Sequence, residues 1–126
     1  MKLLLDTHIL LWWLDADLVL SQEAIGLISN PENTIFVSAV SLWEIWLKQS
    51  LGKLRLPPDF LQRLASESFE SLPLTAAQTA HVGQLAWVHR DPFDRMLIAQ
   101  AQADNLVLLT ADEALAGYGT AVRLAR

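Results

Sequence analysis

Four acidic residues stand at positions where a carboxylate could do chemistry: Asp6, Glu44, Asp94 and Asp112. Asp6 directly follows the apolar run Leu3-Leu4-Leu5, and Asp112 comes just after NLVLL (105–109). Glu44 is the only charged residue in IFVSAVSLWEIWL (35–47). A lone acid in so apolar a stretch is costly to bury unless a cation, a metal or a proton compensates it. Oxygen-only ligands select a hard cation, Mg²⁺ or Mn²⁺, over zinc. Four carboxylates in one crevice would carry a charge of about −4, which two divalent ions would match. That arrangement serves phosphodiester hydrolysis, with one ion activating the attacking water and the other stabilising the leaving oxygen.

Taken singly, each acid also has a purely local explanation. Asp6 precedes an apolar helix and suits an N-cap. Glu44 lies three residues after Ser41, the spacing of a capping box. With Pro92 at the first helical position, Asp91 is the natural N-cap and Asp94 falls in the first turn. Thr110 suits an N-cap with Glu113 as its box partner. The functional claim therefore rests on whether the chain brings the four together.

The elements that would do so can be placed from pattern. Residues 2–5, 34–38 and 105–109 read as short buried strands, with possible further strands at 69–74 and 121–124. Helices are expected over 7–14, 21–30, 40–49 (closed by Gly52), from Pro57-Pro58 onward, over 75–87, and from Asp91-Pro92 to about residue 103. Continuous apolar strands alternating with helices indicate one α/β domain over residues 1–126, with a parallel sheet covered on both faces. In such a sheet, ligands bind outside the carboxyl ends of the strands. Asp6, Glu44 and Asp112 follow successive apolar strands and should share that edge. Asp94 joins them if its helix begins there.

Composition narrows the function classes. The 126 residues are 52% hydrophobic and 18% charged, which describes a packed domain. The absence of cysteine excludes disulfides, thiolate-bound zinc and thiol catalysis. No targeting segment or membrane span is expected, because Asp6 interrupts the apolar start and the run 9–14 is far below the roughly 20 residues a span needs. A cytoplasmic location is the default. The net charge of −5 opposes phosphate binding unless bound cations invert the local field. His8, His81 and His89 show no metal-ligand spacing among themselves, and no glycine-rich phosphate loop is present. Cations available to a substrate are Lys48, Lys53, Arg55, Arg90 and Arg95. Arg95 is the first choice for a phosphate contact, with an ion pair to a neighbouring acid as the alternative.

The segments LLLDTHILLWWL (3–14), SAVSLWEIWLK (38–48), HRDPFDRMLIAQA (89–101) and LLTADEAL (108–115) together resemble PIN-domain ribonucleases, and among these the VapC toxins of type II toxin–antitoxin systems. The resemblance spans nearly the whole chain with its motifs in order. It implies an α/β/α PIN fold and RNA cleavage dependent on one or two Mg²⁺ or Mn²⁺ ions. It implies that an acidic quartet holds the metal, mapping onto Asp6, Glu44, Asp94 and Asp112, with Thr110 as a hydroxyl beside the last acid and Asp91 outside the set. It also implies a cognate antitoxin and a homodimer. Independently, the five tryptophans and the all-round apolar helix 9–14 mean either a large core or a docking face. A catalytically silent PIN-like binding module would be expected to carry a damaged quartet. A receiver-like signalling domain would need a second acid after Asp6 and a late lysine, but Thr7-His8 follow and no lysine occurs after Lys53. A haloacid-dehalogenase-type phosphatase would need Asp where His8 stands.

Overall fold

The computed structural model describes residues 1–125. Five strands form one sheet: β1 (Lys2–Leu5), β2 (Thr34–Ser38), β3 (Glu70–Leu72), β4 (Val107–Thr110) and β5 (Val122–Leu124). Their order is β3-β2-β1-β4-β5 and every pairing is parallel. The helices are α1 (Thr7–Leu14), α2 (Gln22–Ser29), α3 (Ala39–Ser50), α4 (Phe60–Ala65), α5 (Ala76–Val82) and α6 (Pro92–Asp104). A 3₁₀ segment, Glu113–Ala121, broken at Gly119 (φ 80°), leads into β5.

Strand β1 shows why the sheet must be covered twice. Side chains alternate across a strand, and here both directions are apolar. Leu3 and Leu5 enter a core with Ile9, Leu10, Ala24, Ile28, Ile45 and Phe60. Leu4 faces the other way, into a core with Val40, Leu97, Ile98, Ala101 and Leu108. Helices therefore lie on both faces, giving the α/β/α sandwich that the strand patterns require. No helix among the described residues is long and apolar enough to cross a membrane.

Several boundaries differ from the sequence pattern for local reasons. The helix expected over 75–87 ends at Val82, where Gly83 is the cap, and residues 83–91 run as irregular chain. The strand expected from residue 105 starts at Val107 instead. Asn105 caps α6 in the left-handed conformation (φ 56°), which asparagine tolerates well. The cap of α3 is Ser38, whose hydroxyl accepts from the Val40 N–H. Ser41 is not a cap; it lies buried inside the helix and accepts from the Thr7 hydroxyl at 3.1 Å.

A buried polar chain then locks the two helices that carry Glu44 and Asp94. The Ser38 hydroxyl donates to Gln100 Oε1 at 2.5 Å, joining the end of β2 to α6. Gln100 Nε2 donates to Pro73 O (3.3 Å) and to Gln78 Oε1 (3.0 Å). Gln78 Nε2 closes the chain on Asp104 at 3.0 Å. Ser38, Gln78 and Gln100 are all at most 1% exposed, so each lost partner would leave a polar group without water. Gln100→Leu is expected to cost about 3 kcal/mol, because it leaves the Ser38 hydroxyl proton and the Pro73 carbonyl without their partner and removes one of the two donors on Gln78 Oε1. Urea denaturation measures this, and a loss below about 0.5 kcal/mol would show the network to be dispensable.

Candidate metal centre

Asp6 sits at the carboxyl end of β1, 4% exposed, with its backbone N–H bonded to Leu109 O on β4. One carboxylate oxygen caps α1, accepting from the N–H groups of His8 (2.7 Å) and Ile9 (3.2 Å). The other accepts from the Thr110 hydroxyl at 2.5 Å. Thr110 Oγ1 in turn accepts from the Asp112 N–H at 3.0 Å. One threonine thus ties the exits of β1 and β4 together, and it is not the N-cap that the local pattern suggested. That cap is Asp112, which accepts from the Ala114 N–H at 2.9 Å.

Glu44 projects from the first half of α3 and is 4% exposed. Its Oε2 pairs with the Lys48 ammonium one turn later at 2.6 Å. Its Oε1 is buried with no hydrogen-bond partner among the described residues. An unpaired carboxylate oxygen out of water is unfavourable, and a cation is the natural partner for it. Asp94 lies in the first turn of α6, its N–H donating to the cap Asp91 at 3.0 Å.

The four predicted acids share one electrostatic neighbourhood. Burial raises the Asp94 carboxyl to about 7, and the charges of Asp91, Asp6, Glu44 and Asp112 push in the same direction. Burial also raises Asp6, against the opposing pull of Thr110 and the capping amides. Glu44 holds Lys48 above the ordinary lysine range, mainly through their hydrogen bond. Carboxylates crowded so closely cannot all ionise without a compensating cation. With only oxygen donors in the quartet and one buried oxygen unpaired, the residues fit a hard divalent ion.

Two residues enter the site that the sequence pattern left out. Asp91 does cap α6, yet it also contributes negative charge beside Asp94. His89 Nε2 lies 3.7 Å from Asp112 Oδ2 and 3.9 Å from Asp94 Oδ2. Its partners are acids, one of them Asp112 on a different element, so spacing among the histidines could not reveal it. Its place two residues before the Asp91 cap was the available clue. His8 is exposed and lines a groove with Trp12, Lys48, Lys53, Arg55 and Phe60.

Arg95 corrects the sequence expectation. It is 6% exposed and has no ion pair among the described residues, its donors being turned to backbone carbonyls and a phenol. Its guanidinium donates to Ala86 O (2.9 Å), Val82 O (3.3 Å), His89 O (3.5 Å) and the Tyr118 hydroxyl (3.2 Å), and it stacks on Trp87 at 3.7 Å. Tyr118 also accepts from the His89 N–H and donates to Ala86 O, both at 3.1 Å. Arginine's fixed fork of donors suits this task, because residues 83–91 lack helical or strand partners for their carbonyls. Gly117 lets this segment approach closely: a Cβ there would lie 2.6 Å from Val88 Cγ1.

An open parallel sheet whose strand order switches between β1 and β4, with Asp6 and Asp112 just beyond the carboxyl ends of those two strands, defines an α/β protein of the kind that binds ligands at that edge. The chain belongs to the PIN domain family, whose model matches residues 3–120. No curated protein matches it in sequence. Among solved structures it is similar to a chain of VapBC2 from Rickettsia felis bound to a DNA fragment from their promoter, at 18% identity and TM-score 0.74, with 100% of each chain covered. A toxin–antitoxin complex from Klebsiella pneumoniae matches at 21% identity and TM-score 0.64, covering 95% of this chain and 94% of the other. VapBC-5 from Mycobacterium tuberculosis matches at 21% and 0.62, covering 99% and 98%. At these identities the likeness is one of fold.

The raised Asp94 carboxyl makes metal-free stability depend on pH. A carboxyl near 7 when folded and 3.8 when unfolded binds more protons folded, so stability falls as pH rises from about 4 to 7. In EDTA, Asp94→Asn should therefore be more stable than wild type, with the gap widening between pH 5 and pH 7.5. Parallel denaturation curves at the two pH values would contradict the crowding of Asp94.

Proposed function

We propose that this PIN domain is a metal-dependent ribonuclease, the toxin of a type II toxin–antitoxin pair. The observation that carries the reading is that Asp6, Glu44 and Asp112 all bear electrostatically on Asp94, while one buried Glu44 oxygen has no partner among the described residues. These four residues would hold Mg²⁺ or Mn²⁺, one ion or two. When bound, such an ion supplies water activation and neutralises charge developing on the phosphate.

The chain's own groups support the same task. Thr110 and the α1 amides fix the Asp6 carboxylate in one orientation, so that little reorganisation is needed at the reacting centre. The groove beside Lys48 combines Lys53 and Arg55 with the neighbouring rings of His8 and Trp12, whose centroids are 5.8 Å apart. Cations for the backbone and aromatic faces for bases suit a single strand of RNA. Asp15 and Asp17 also line the groove and limit its net attraction. The matched toxin–antitoxin complexes support an antitoxin as partner. Trp43 and Trp87, 59% and 77% exposed, supply apolar surface for that partner or for a second copy in a homodimer.

A silent binding module is the competing reading, and activity separates the two. Purified protein free of antitoxin is expected to cleave RNA with Mg²⁺ or Mn²⁺, to stop in EDTA, and to arrest growth when expressed. Asp6→Asn should slow cleavage by about 100-fold or more. Equal cleavage by wild type and mutant, or none by wild type with either ion and no growth arrest, would refute the assignment.

A further inference from the structure

A neutral imidazole has one donor and one acceptor, and here the backbone decides which nitrogen is which. The Asp91 N–H donates to His89 Nδ1 at 3.0 Å. Nδ1 is therefore the acceptor, and the ring proton of the neutral form sits on Nε2. Nε2 points between Asp112 Oδ2 at 3.7 Å and Asp94 Oδ2 at 3.9 Å. Both distances are too long for a direct hydrogen bond and suit an intervening oxygen. Nε2 and the two carboxylates offer ligand atoms that all lie within 4.8 Å of one another, a spacing open to a metal. A protonated ring nitrogen, however, has no lone pair to give one.

We propose that His89, its Nδ1 occupied by the Asp91 N–H, presents Nε2–H to an oxygen of the phosphodiester beside Asp94 and Asp112, and is not a ligand of the metal. The inference rests on the phosphodiester-cleaving function proposed above. The hydrogen bond strengthens as negative charge grows on that oxygen, and it is kept in place before the reaction begins. The positioning comes from Arg95 and Tyr118. Between them they bind the backbone at Ala86 and on both sides of His89, so the ring is held by its own peptide units. A residue already seated with one nitrogen satisfied loses little freedom when substrate arrives.

Three measurements test this. In ¹⁵N-histidine-labelled wild type at pH 7.5, long-range ¹H–¹⁵N spectra should show His89 as the Nε2–H tautomer, unchanged on adding Mg²⁺. An Nδ1–H tautomer, or an Nε2 signal that shifts to the position of a coordinated nitrogen, overturns the proposal. His89→Phe should bind Mn²⁺ within twofold of wild type by calorimetry while its kcat on RNA falls about 100-fold. His89→Gln, which places an amide N–H near Nε2, should recover part of that loss. A tenfold weaker Mn²⁺ affinity in His89→Phe would make the ring a ligand. If wild type cleaves RNA and His89→Phe cleaves it equally, this proposal alone fails. If wild type cleaves none with either ion, the function proposed above fails and takes this inference with it.

Discussion

Asp6, Glu44, Asp91, Asp94 and Asp112 repel one another at the carboxyl edge of the sheet, and much of the surrounding structure serves to hold them there. Four of the five are tethered by local contacts. Asp6, Asp91 and Asp112 spend an oxygen on capping the chain that follows them. Glu44 is partly neutralised by Lys48, one helical turn away. The helix-start bonds and the crowding are thus one arrangement, in which favourable amide contacts offset part of the repulsion. Asp94 keeps the imprint of the arrangement, its carboxyl raised first by burial and then by the neighbouring acids, and Glu44 keeps one oxygen unpaired among the described residues.

The fold supplies the geometry through parallel strands. Because the strand order switches between β1 and β4, two neighbouring strands send their following residues to opposite sides and leave a crevice between. Asp6 and Asp112 flank that crevice, and Thr110 spans it with a bond to each side. Glu44 and Asp94 come from α3 and α6, which the Ser38–Gln100 bond joins below the site. Displacing either helix would move an acid, so the buried amide chain has consequences beyond stability.

Residues 83–91 show a different solution. Lacking regular secondary structure, their carbonyls are gathered by a single guanidinium and a phenol. An arginine that resembles a substrate contact in the sequence is instead the internal scaffold of a loop. Its charge makes the carbonyl bonds strong, and stacking on Trp87 covers one face of the ion.

Much of this was legible from residue order alone. The run Leu3-Leu4-Leu5, apolar in both side-chain directions, could belong only to a strand buried on both faces, and Asp91-Pro92 marked the start of α6 to the residue. Glu44 was conspicuous because nothing else charged accompanies it between residues 35 and 47. These signals are local: periodicity, capping chemistry and the cost of burying a lone charge act within one or two turns. The places of Arg95, His89, Gln100 and Thr110 were not legible, because each depends on a distant partner: Ala86, Asp112, Ser38 and Asp6 lie 9, 23, 62 and 104 residues away. A hydrogen bond across that separation depends on how two strands and a helix are packed, which no window of sequence contains. The sequence by itself thus determined which acids were available and which elements would carry them. Only the tertiary structure decided that they face one another, that Arg95 turns inward, and that a histidine joins them, because those outcomes are set by packing across the sheet.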